Sequence, residues 1–253
     1  MCIFVSVINQ NITNMNEFRI GSVIDNAWEL SKKHGIWMCL MLLVIYIVNN
    51  VLQGFLCMGD TTALIAASQS GNTQQILKAL GALYDGNYLA LFLCEVFALC
   101  LAAGFFNTAL LLAKGRMEKV DLSGFKMPAM AYVKFVLASF LEALIAGIGT
   151  AFCIIPGIWL MVRLLMTNLA VIDNPELPFF DAFRKSWAMT KGHFWTLFGL
   201  GILICLINFV GLCCCCVGVL FTAVLSEFAL ATAYIVLSGN DDPAEPDAEP
   251  VAD

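Results

Sequence analysis

The chain has 253 residues, of which 60% are hydrophobic and 13% charged, whereas a soluble domain carries about 25% charged residues. Its mean hydropathy of +0.86 leaves a continuous membrane domain as the only class that fits. The net charge of −6 is uneven, because six of the 19 acids fall in the last 13 residues. The rest is near neutral and offers no basic surface to nucleic acid.

Residues 1–16 begin with apolar MCIFVSVI, without a basic stretch ahead of it, and run into polar NQNITNMN. This is not a signal-peptide pattern, and a flexible N-terminus is expected. The next segment is amphipathic. Ile20, Val23, Ile24, Ala27, Trp28 and Ser31 oppose Arg19, Asp25, Glu29 and Lys32, so an interfacial helix is expected before the first span.

Apolar runs then follow in pairs: 36–57 with 89–113, 131–155 with 157–173, and 194–216 with 217–238. Each approaches the ~20 residues a helix needs to cross a ~30 Å hydrocarbon core. The first outer loop, 58–88, holds a helical-looking stretch over 73–83. The second is expected to be a tight turn at Ile155-Pro156-Gly157-Ile158, because proline and glycine allow a reversal there. The third carries Cys213 to Cys216, which read as small apolar side chains.

Between the fourth and fifth runs lies a second amphipathic segment. Phe179, Phe180, Phe183 and Trp187 share one face, and Asp181, Arg184, Lys185, Ala188 and Lys191 the other. Its aromatic face is expected in the acyl boundary and its basic residues among headgroups. Trp28-x-Leu30-Ser31-Lys32-x-His34 matches Trp187-x-Met189-Thr190-Lys191-x-His193, which suggests parallel repeats of an interfacial element plus a hairpin. Interface composition alone also accounts for such a match. The expected organisation is all-α: a six-helix membrane domain over 17–238, built of three hairpins, and a disordered, proline-rich acidic tail over 239–253.

Eleven of the 13 basic residues fall on one side of this topology. Lys78 alone lies on the other, and Arg163 lies within a span. The positive-inside rule puts both termini and the two basic loops in the cytoplasm.

Four ionisable residues lie within spans: Glu95, Glu142, Arg163 and Glu227. Such residues face a bundle interior or a cavity and mark polar pathways. At ~1.5 Å per residue from the outer turns, Glu95 lies roughly 9 Å deep, Arg163 roughly 10 Å, Glu227 roughly 15 Å and Glu142 roughly 21 Å. Arg163 is therefore expected to pair with Glu95 or Glu227. The intramembrane amides Asn107, Asn168 and Asn208 are expected to bridge helices.

Ile155-Pro156-Gly157-Ile158-Trp159 with Arg163, followed by Asp181-Ala182-Phe183, Ser186-Trp187 and Thr190-Lys191-Gly192, resembles the bacterial six-span glycerophosphoryl diester phosphodiesterase membrane-domain family and related membrane proteins of the YciC type. The specific likeness covers roughly 155–195. It implies a multi-pass protein of the bacterial cytoplasmic membrane. It does not imply hydrolysis, because the soluble catalytic domain that names the family has no counterpart here.

No Walker loop, HExxH, GxSxG or dinucleotide fingerprint occurs. No catalytic site, cofactor or metal site is expected, and membrane lipids are the expected partners. Two readings follow: a non-enzymatic membrane module in envelope or lipid organisation, and a small permease with a polar track through Glu95, Arg163, Glu227 and Glu142. Broken helices within the spans would favour the second. The Pro-Gly pair at the expected turn favours the first.

Overall fold

The computed structural model describes residues 19–57, 61–70, 72–84, 88–152, 154–213 and 216–239. The expectations for residues 1–16, the acidic tail beyond 239 and the centre of the cysteine run lie outside them. Within the described residues the chain is helical and contains no strand. Six helical segments are long and apolar enough to span a membrane, so this is a multi-pass membrane protein.

Helix α1 runs over Ile20–Cys57. Two short helices, α2 over Thr61–Ser70 and α3 over Thr73–Tyr84, pack on each other. Helix α4 covers Tyr88–Ala113 and returns along α1. A short 3-10 turn over Leu122–Phe125 precedes α5, Ala129–Phe152. Then come α6 (Ile154–Leu164), α7 (Thr167–Asp173) and α8 (Phe179–Thr190). Helices α9 (Phe194–Cys213) and α10 (Cys216–Gly239) close the chain. The three expected hairpins form: α1 with α4, α5 with α6, and α9 with α10.

Three boundaries differ from the sequence expectation, each for a local reason. The first amphipathic segment is not a separate element. It is the start of the 38-residue α1, whose ~57 Å length exceeds the hydrocarbon core. Val23, Ala27, Ser31, His34 and Met38 form a buried stripe along it, and this part packs against α10, with Trp28 edge-on to Phe221 at 6.0 Å. In the second copy of the Trp–His match, Gly192 adopts φ +91° and ends the helix. The equivalent position in the first copy is Lys33, and the helix continues through it.

The second outer turn is also displaced. Pro156 and Gly157 lie in the first turn of α6, where proline is tolerated because its missing N–H is not needed. Helix α5 ends at Phe152 and α6 begins at Ile154, ahead of the expected turn. Gly157 serves close approach instead: a Cβ on Gly149 would stand 2.8 Å from the Gly157 Cα.

The third difference matters most. The fourth span is broken. Helix α6 stops at Leu164, Leu165 and Met166 form a turn, and α7 resumes at Thr167. Neither proline nor glycine marks the break.

Packing is concentrated at one end of the bundle. Met38, Leu110, Phe135, Met166, Met189, Leu197, Phe228 and Tyr234 are fully buried there. At the other end Tyr46, Phe55, Leu89, Phe92 and Phe209 are exposed, a pattern that suits lipid contact.

Candidate functional site

The broken fourth span organises the polar chemistry. A helix end leaves carbonyls without intrahelical partners, and in a membrane each must be satisfied by the protein. Helix α8 does this by packing against α6 and α7. Ser186 Oγ donates to the Arg163 carbonyl at 2.9 Å. Thr190 Oγ1 lies 3.4 Å from the same carbonyl and 2.9 Å from the Ser186 carbonyl of its own helix. This explains which face of α8 is buried: Ala182, Ser186, Met189 and Thr190, small or polar residues that allow close approach.

The Arg163 side chain leaves the break on an aromatic surface. Its guanidinium carbon lies 5.4 Å from the Trp159 ring centroid, 5.3 Å from Trp187 and 5.9 Å from Phe194. All are within the range of cation–π attraction. Trp159 and Trp187 meet edge-on at 5.1 Å. Nη1 reaches Thr190 Oγ1 at 3.5 Å, while Nε is buried without a hydrogen-bond partner among the described residues. Beside it opens a groove of about 530 Å³ lined by Ile158, Trp159, Arg163, Phe194, Trp195 and Phe198.

The expected pairing of Arg163 with Glu95 or Glu227 is not found. No ion pair among the described residues includes Arg163. Counting depth along an unbroken fourth span placed Arg163 roughly 10 Å from the outer turn, level with Glu95. The span breaks one residue after Arg163, and the side chain reaches Trp187 and Thr190 of the basic loop's helix instead.

The other candidates for a track are dispersed. Glu95 is exposed and accepts a hydrogen bond from Gln53 at 3.4 Å. Glu227 is half-buried and makes no hydrogen bond or ion pair among the described residues. Glu142 lies on the far side of the break. Asn168 Nδ2 donates to it at 2.8 Å, and Ser139 Oγ donates to Asn168 Oδ1 at 3.3 Å. These groups border a second cleft of about 390 Å³. One Glu142 oxygen and the Thr167 hydroxyl are buried and neighbour each other, without a well-aligned hydrogen bond among the described residues.

The residues expected at the interface divide. Trp28 is 45% exposed, with Lys32 Nζ 5.7 Å from its ring centroid. On α8, Phe180 is exposed, while Phe179 and Phe183 meet edge-on at 5.2 Å and pack against the core. Arg184 is exposed and pairs with Asp181 at 3.3 Å, and Lys191 is exposed. Lys185 departs from the expected headgroup-facing set: its ammonium sits over the Tyr234 ring at 5.9 Å. The buried face of α8, not its aromatic stripe, decides its orientation.

A further cluster was not anticipated. Asp173 at the end of α7 pairs with Lys114 and accepts from Tyr234 Oη at 2.9 Å. Nearby, Lys134 donates to the carbonyls of Pro175 and Leu177. These contacts tie the loop after α7 to three helices. A tyrosine within an apolar run was the available signal, since its hydroxyl needs a partner when buried. The amides do bridge: Asn208 reaches Ser226 at 2.8 Å across α9 and α10, and Asn107 reaches the Gly124 carbonyl at 2.7 Å.

No family model, curated protein or solved structure matches this chain.

Proposed function

We propose that this chain is a non-enzymatic module of a bacterial cytoplasmic membrane that acts by engaging lipid, with both termini and the basic loops 114–128 and 174–193 facing the cytoplasm. The observation that carries this reading is the dispersal of the ionisable residues. Glu95, Glu142, Arg163 and Glu227 occupy separate surroundings, whereas a proton or ion path needs groups within relay distance. The aromatic groove at Arg163 and the exposed apolar surface at the other end of the bundle point toward lipid. The resemblance of residues 155–195 to the six-span membrane-domain family bears on the membrane location in this reading and not on the activity. Trp159, Arg163, Ser186, Trp187 and Thr190, which help carry that likeness, are neighbours in the fold.

The break in the fourth span beside Glu142 favours a second reading, a permease, because discontinuous helices build substrate sites in transporters. One experiment separates the two. Purified protein is reconstituted in vesicles, proton and sodium flux are measured, and co-purified lipid is identified. The lipid module predicts retained lipid, enriched over bulk, and flux no faster than in protein-free vesicles. Flux abolished by Glu142→Gln would establish the permease instead.

A further inference from the structure

Arginine keeps its charge even in an apolar setting, so within a membrane it requires an anion, water or both. Arg163 meets no carboxylate among the described residues. Three aromatic rings surround its guanidinium, its Nε has no hydrogen-bond partner among the described residues, and its side-chain hydrogen bond there is a long one, to the Thr190 hydroxyl at 3.5 Å. Cation–π attraction offsets part of the desolvation but supplies no counter-charge.

The missing anion has to arrive on a molecule suited to the groove. Apart from the guanidinium, the lining is Ile158, Trp159, Phe194, Trp195 and Phe198. Trp195 at the rim is 77% exposed, and Ile158 and Trp159 are also partly open. A small hydrated anion gains nothing from such walls. An acyl chain does, and a phosphodiester at its head would receive the charge-assisted hydrogen bonds that guanidinium geometry favours. Phe194 begins a span and Trp187 lies in the last turn of α8, the helix that leads into it, which sets the guanidinium near a membrane border, where headgroup phosphates lie.

We infer that the Arg163 groove is a binding site for an anionic phospholipid, with the phosphodiester on the Arg163 guanidinium and an acyl chain along Ile158, Trp195 and Phe198. This rests on the lipid-module reading and gives it a specific site.

The test uses the full chain in phosphatidylcholine nanodiscs containing equal fractions of brominated phosphatidylglycerol or brominated phosphatidylcholine. Three of the five tryptophans, Trp159, Trp187 and Trp195, stand at or beside the groove, so bromine there quenches the intrinsic fluorescence. Brominated phosphatidylglycerol should be enriched near them about fivefold, which is what ~1 kcal/mol from a basic residue at an anionic headgroup corresponds to. Arg163→Gln should bring the ratio near one, and Arg163→Lys should retain part of it. If Arg163→Gln does not reconstitute, the wild-type ratio decides, because equal quenching by the two lipids sinks the site.

Two other occupants give distinct results. Relief of quenching by excess inorganic phosphate would make this a free-phosphate site, and a preference that appears only after removal of residues 240–253 would make the acidic tail the native occupant. Either overturns the proposal. Enrichment that persists in Arg163→Gln overturns the site and leaves the broader reading standing, whereas absence of lipid enrichment both here and in the co-purified material removes both.

Discussion

Gly104, against the Phe125 ring, and Gly124 fix the 3-10 turn before α5 to the side of α4. A Cβ on Gly124 would lie 2.0 Å from Thr108 Oγ1 and 3.1 Å from the Thr108 Cα. The second contact is backbone, so rotating the threonine does not relieve it. The same approach lets Asn107 donate to the Gly124 carbonyl. Gly124→Ala should therefore force the turn away from α4 and cost about 1–3 kcal/mol through overpacking and strain on that hydrogen bond. Gly201→Ala is the matched control, because nothing lies within 4 Å of its added Cβ. Relief of glycine's helix penalty should leave it neutral or stabilised by about 0.5–1 kcal/mol. Thermal unfolding of the detergent-solubilised protein reads both, and equal midpoints for the two variants would refute the packing argument.

At the scale of the element, the α6–α7 break and α8 form one unit. Arg163's carbonyl is freed by the break and accepts from the Ser186 hydroxyl, with Thr190 close by. Ser186→Ala removes the shorter contact and leaves a buried carbonyl with only a long one, a loss of about 1–2 kcal/mol. Thr190→Ala should cost less at this carbonyl, since the Thr190 hydroxyl is shared with its own helix. Urea-dependent unfolding in mild detergent compares them, and a Thr190→Ala loss exceeding that of Ser186→Ala would contradict the assignment. The unit also shows where sequence reading stops. Periodicity separates a lipid-facing run from an amphipathic one, and it located α8 and six spans. It carries no signal for a break at Leu165-Met166, whose residues suit a continuous helix. That break is a tertiary effect, held by hydroxyls 20 or more residues away in sequence. The error about Arg163 followed directly, because a depth counted along an unbroken helix put its side chain with the wrong neighbours.

For the whole molecule, the three antiparallel hairpins leave little freedom in topology. With six crossings, the start of α1, the loops 114–128 and 174–193 and the end of α10 share one side. This much was legible from the length and order of the apolar runs, because hydrocarbon thickness fixes span length. The sidedness rests on a different physical quantity, the distribution of charge. Eleven basic residues lie on or next to the shared side, against Lys78 on the other. The packed end of the bundle is that same basic end, where Lys114 pairs with Asp173 and Lys134 holds the Pro175 and Leu177 carbonyls. Those lysines are bound into the fold, so neutralising them would disturb packing as well as insertion. Exposed basic residues outside these contacts, such as Lys119, Arg184 and Lys191, are the cleaner lever. Compartment-sensitive reporters fused after residues 72, 118 and 176 should place 118 and 176 in the cytoplasm and 72 outside. Changing Lys119, Arg184 and Lys191 together to glutamine should blur this assignment without lowering the melting temperature by more than a few degrees, since exposed substitutions alter stability by about 0.5 kcal/mol or less. A wild-type reporter at 118 and one at 176 found on opposite sides would break the hairpin arrangement itself. Finding both outside would instead keep the fold and reverse its orientation, moving the Arg163 groove to the outer leaflet.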